Sequence, residues 1–95
     1  MNDMKKISGG VFHESIEGGR AGVEIEFTAT EIIASQTTGE QHRLPYRDCQ
    51  LEFGGASGRM IFCRNLDRSL TIFSEDKRFL PGLELFGRGF LLEQL

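Results

Sequence analysis

The sequence predicts a mainly β domain: about seven short antiparallel strands in a barrel or sandwich, closed by one C-terminal helix. Three observations carry this. Val23, Ile25 and Phe27 alternate with Glu24, Glu26 and Thr28, the period-two pattern of a strand with one dry and one wet face. Residues 44–74 read as a strand–turn–strand–turn–strand meander. From Leu83 the spacing becomes helical, with Leu83, Phe86, Phe90 and Leu91 on one side.

In chain order, residues 1–10 are polar and read as a flexible leader, with a single domain over 11–95. Residues 11–16 form a short strand, turned by Glu17-Gly18-Gly19-Arg20, since paired glycines reach positive φ without strain. The alternating strand over 22–28 follows. Residues 31–36, rich in β-branched side chains, make the next strand, and Thr37-Thr38-Gly39-Glu40 turns it back into 41–44. Pro45 has no N–H to donate, so the ladder is interrupted and the chain bends or changes sheet there.

The meander has turns over 54–58 and 65–68. A first hairpin centred on Ala56 sets Cys49 opposite Cys63, Leu51 opposite Ile61 and Phe53 opposite Arg59. A slip of one residue turns Met60 and Phe62 inward instead. Phe73 is core if its strand is central. Ser74 is placed to cap a helix, with Glu75 and Asp76 suiting its dipole, and Pro81-Gly82 ends a first turn. Leu85 and Leu92 fall on the opposite side of the final helix. Gly87 and Gly89 each weaken that helix by about 1 kcal/mol, so packing must hold it. A sheet this small cannot cover its own apolar face, and a terminal helix is the natural closure.

Composition bounds the function. A chain of 95 residues buries one thin core and has no room for a large enzyme cleft. Twelve glycines and two prolines suit tight turns, and eight phenylalanines with no tryptophan suit a core of flat wedges. The net charge of −3, with both signs mixed along the chain, argues against nucleic acid as partner, because phosphate contacts want a clustered basic face. The polar start carries no export signal, and no stretch reaches the roughly 18 apolar residues of a membrane helix. Two cysteines without an export signal are expected to be reduced, in a cytoplasmic setting.

Candidate chemistry is sparse. His13-Glu14-Ser15-Ile16-Glu17 opens like a zinc-protease HExxH but ends in Glu, and it reads as a strand, where positions four apart do not share a site. No metal ligands and no cofactor are expected. Cys49 and Cys63 read as small buried hydrophobes rather than a ligand pair or a nucleophile. His42 sits among polar neighbours and reads as solvated. No nucleophile elbow or phosphate-binding glycine loop is present, because the glycine-rich turns join strands rather than opening a helix. The arginines are scattered, and only Arg20 lies in the first hairpin loop, so lipid-headgroup binding is not indicated. Leu85 and Leu92 want cover, which a second copy, further chain or a membrane surface can supply.

With these residues in view, the pattern resembles bacterial pleckstrin-homology-like and GRAM-like domains. It is carried by Gly22-Val23-Glu24-Ile25, Gly39-Glu40, Leu44-Pro45-Tyr46-Arg47-Asp48-Cys49-Gln50-Leu51 and Leu70-Thr71-Ile72-Phe73. More narrowly it resembles the small N-terminal domain of HtpX/CAAX-prenyl-protease-like membrane zinc metallopeptidases, through 44–48, the glycine-rich turn 54–58 and Phe79-Leu80. The resemblance spans about residues 11–85 and rests on order and spacing. It implies a non-catalytic regulatory or interaction module of a longer chain, at the inner face of a membrane. That family's zinc ligands lie in another domain, and none transfers here. The expected partners are a protein or the rest of the same chain, with a membrane surface or a second copy through the C-terminal helix as further options. The residues proposed to meet them are Arg20, Arg47, Leu85 and Leu92. A different class is a lipid- or small-molecule-binding β-barrel; a thiol enzyme on Cys49 or Cys63 comes last.

Overall fold

The computed structural model describes residues 6–55 and 59–87. Seven antiparallel strands form one curled sheet in the order β4-β3-β2-β1-β7-β6-β5. They are β1 (Lys6–His13), β2 (Arg20–Phe27), β3 (Glu31–Ser35), β4 (Gln41–Pro45), β5 (Gln50–Gly54), β6 (Met60–Arg64) and β7 (Leu70–Ser74), followed by α1 (Phe79–Phe86). The mainly β class with a closing C-terminal helix is therefore as expected. Two meanders, β1 to β4 and β5 to β7, are joined where β1 pairs with β7.

β1 takes in five residues that read as leader. Gly9-Gly10 looks like linker composition, yet both glycines are there for close approach. A Cβ on Gly9 would run into Ile25, and one on Gly10 into the ring of Phe73. The β5–β6 hairpin also differs from expectation. Leu51 pairs with Cys63 and Phe53 with Ile61, a register two residues away from that expectation. Ile61 and Cys63 still point inward, so the faces are kept, but Cys49 precedes the strand and does not stand opposite Cys63. Neither cysteine is in a disulfide, and both are buried. The turn into β7 is built as the sequence suggests: Arg68 adopts φ 64°, and Asn65 Oδ1 accepts from the Leu70 N–H.

Pro45 ends β4 on the sheet edge, where a missing donor costs no ladder bond. A 3-10 turn, Tyr46–Asp48, then carries the chain to β5, the other edge. Tyr46 is fully buried at this corner. Its hydroxyl donates to the Thr28 carbonyl at 2.8 Å and its N–H to the Thr30 carbonyl at 3.1 Å, pinning the corner to the β2–β3 turn.

Ser74 does not cap the helix. It ends β7, donating from Oγ to the Ser8 carbonyl and accepting the Asp76 N–H. α1 starts later, and Pro81-Gly82 lies inside its first turn rather than ending it. Proline is tolerated there because its missing N–H has no intrahelical partner anyway. Leu83 and Gly82 face the sheet, Phe79 and Phe86 flank the ring of Phe27, and Leu85 stays 60% exposed. The interior is filled by Ile25, Ile32, Leu44, Ile72, Phe79 and Leu83, each at most 1% exposed.

Candidate functional site

Strand registers assign every side chain to the inside or the outside of the curl. The row Ile7–Ile25–Ala34–His42 crosses β1 to β4 on the inner face. The row Gly10–Phe73–Phe62–Glu52 crosses β1, β7, β6 and β5 on the outer face. These rows define two features, an aromatic patch outside and a histidine pair inside.

The patch comprises Phe12, Phe62 and Phe73. Phe12 and Phe73 stack at 4.8 Å between ring centres, and Phe62 lies 5.9 Å from Phe73. Phe12 is 37% exposed, while Phe62 and Phe73 are half-buried. The Arg64 guanidinium sits 5.0 Å from the Phe62 ring centre and is paired with Glu52. Glycine at position 10 is what lets the Phe73 ring lie flat on β1. Beside the patch, small side chains at Ser8, Gly22 and Ser35 leave a groove of about 670 Å³ around Glu24.

The histidines are His13, at the end of β1, and His42, on β4. β2 and β3 lie between them in the sheet, yet the curl sets their rings 5.4 Å apart. His42 is 8% exposed, not solvated as its polar sequence neighbours suggest, because it lies on the same inner row as Ile25 and Ala34. Its Nε2 lies 2.9 Å from Gln36 Oε1. His13 Nδ1 accepts the Ser15 N–H and lies 2.7 Å from Ser15 Oγ. Among the described residues no three His, Cys, Asp or Glu side chains gather as a metal cluster. The HExxH-like spacing gave His13 no partner, since positions four apart on a strand do not share a site; the ring beside it is that of His42, brought by a long-range fold that no local motif encodes.

The residues proposed from sequence do not share one surface element. Arg20 opens β2 opposite Phe12. Arg47 is exposed on the 3-10 turn and lines a small cleft with Thr30, Glu31 and Pro45. Leu85 is on α1, and Leu92 lies outside the described residues. Phe12 and Phe62 were not singled out. Their signal was present in the period-two alternation of β1 and β6, but it depends on a register that the sequence left open.

Cys49 and Cys63 are core. A hydrogen bond from Cys49, and then burial, push the Cys63 thiol above its ordinary value, which keeps it protonated and a poor nucleophile. Burial also raises the Tyr46 hydroxyl well above its usual range. No helix among the described residues is long and apolar enough to cross a membrane. What the fold and these features define is a small antiparallel β domain with a filled interior. No protein-family model matches the chain, and no curated protein or solved structure is significantly similar to it.

Proposed function

We propose that the domain is a non-catalytic interaction module that meets a protein surface, or the rest of its own chain, through the outer aromatic patch. The observation that carries this is the stacked Phe12–Phe73 pair, held outside a core that is already closed. Exposed aromatics on rigid strands supply contact area at low entropic cost and are the residues that dominate interface energetics. The packed interior favours this reading over a lipid- or small-molecule-binding barrel, which needs an internal cavity. The resemblance to the N-terminal accessory domain of membrane zinc metallopeptidases points the same way, with Arg20, Arg47 and Leu85 as a secondary contact set.

The test is to follow the native reading frame past Leu95 and record amide spectra of the domain with and without whatever polypeptide follows. Perturbation centred on β1, β7 and β6, weakened by Phe12→Ser, supports the proposal. Perturbation confined to Leu85 and Arg47, or a response only to anionic lipid vesicles, removes the patch from it.

A further inference from the structure

We propose that His13 and His42 together bind one transition-metal ion of the zinc class, through one imidazole nitrogen each, with water completing the coordination. The inference starts from separation. Two imidazoles on one tetrahedral ion, with metal–nitrogen bonds of about 2.0–2.1 Å and ring centres about 1.1 Å further on, stand about 5 Å apart. The rings of His13 and His42 are 5.4 Å apart before any ion is added. The second argument is the outer shell. A metal-bound histidine normally donates its other ring N–H to an oxygen, which fixes tautomer and orientation. His42 Nε2 has the Gln36 carbonyl at 2.9 Å, which leaves Nδ1 with the lone pair. At His13 the ion needs a change of tautomer: Nδ1, which accepts the Ser15 N–H, takes the ring proton and donates instead to Ser15 Oγ at 2.7 Å, and this frees Nε2. His42 thus has one nitrogen committed to an oxygen and one left for an ion, and His13 reaches the same state once its proton has moved.

The placement suits an exchangeable ion. His42 is buried on the inner face, while His13 is half-exposed and itself lines a surface cleft with Glu14 and Arg68, whose opposite charges offset. Two protein ligands are fewer than the four of a structural zinc site, so the fold does not depend on the ion. Imidazole nitrogen selects zinc, nickel and copper over magnesium and calcium.

The chain contains two histidines in all, so every imidazole signal reports on this pair. The experiment is an imidazole nitrogen NMR titration of the folded protein with zinc chloride alone. Both rings shift together and saturate at one ion per chain; His13→Gln and His42→Gln each abolish the saturating shift of the remaining ring. Gln36→Ala weakens binding about tenfold by releasing His42. Because His42 is buried, its replacement can disturb the fold. The amide spectrum of each variant, and His13→Gln on the half-exposed partner, keep the test decisive. Rings unmoved in excess zinc, one ring shifting alone, or unchanged binding in folded His13→Gln would overturn the proposal.

Discussion

The ring of Phe73 lies directly on Gly10 of the neighbouring strand, occupying the space where any other residue would carry its Cβ. This contact lets the outer aromatic patch form, because Phe73 must lie flat to stack with Phe12. Gly10→Ala is therefore expected to destabilise the domain by about 1–3 kcal/mol through overpacking. Gly22, its cross-strand partner, faces open space, so Gly22→Ala should stay within about 0.5 kcal/mol of the parent. Urea unfolding of the two variants checks the contrast. Equal losses would mean that strand entropy and not the Phe73 contact sets the effect.

A central position does not make Phe73 a core residue. β7 lies between β1 and β6, but Phe73 is on its outer face, while Ile72 is fully buried on the inner one. Ile72→Ala should cost about 2–5 kcal/mol, and Phe73→Ala about 1.5–2.5 kcal/mol, roughly half the value for a buried phenylalanine. Equilibrium unfolding gives both numbers. A larger loss for Phe73 would place the stabilising core on the wrong face of the sheet.

These two residues show what was legible in the sequence. The period-two alternation over 22–28, the turn at Asn65 and the breaker at Pro45 are local signals, and the strands they predict are present. The register of β5 with β6 is set across a glycine-rich turn with no local determinant, so it was read two residues out. Gly9-Gly10 carries linker composition, and only the rings and strands packed against it reveal a strand. His42 was read from its polar neighbours, yet its burial follows from strand parity and the curl of the sheet, both long-range properties. The helix start was misplaced because Ser74 has a better use: its hydroxyl ties the end of β7 to Ser8.

Alkaline pH should weaken the fold. Tyr46 and Cys63 both ionise less readily folded than unfolded, the first through burial, the second through its hydrogen bond with Cys49 and then burial. For a raised value the added stability is complete below the unfolded pKa and is lost as pH climbs from there toward the folded one. Losses should begin near pH 8.5 with the thiol and steepen above about pH 10 with the phenol, at up to about 1.4 kcal/mol per pH unit for each group. Unfolding free energy measured from pH 7 to 11 checks this. Cys63→Ala should flatten the first part of the curve, and a pH-independent profile for the parent would contradict the burial of both groups.

The last prediction concerns how α1 is held. The helix is only eight residues long, its N-cap residue Arg78 makes no capping side-chain bond, and its first turn contains proline and glycine. Propensity does not sustain it; contact with Phe27 does, through the near-parallel Phe86 ring at 5.7 Å and Phe79 at 6.0 Å. Gly82 is the closest approach, since a Cβ there would overlap the Phe27 ring. On an exposed helix Gly→Ala adds about 1 kcal/mol of stability. Here Gly82→Ala should instead remove about 1–3 kcal/mol by lifting the helix off β2. Phe27→Leu, which shortens the ring beneath it, should recover part of that loss in the double variant. Hydrogen exchange at the Gly82 amide, which donates to the Arg78 carbonyl at 2.9 Å, reads the helix directly. Stabilisation by Gly82→Ala alone would show that α1 does not pack this closely on Phe27.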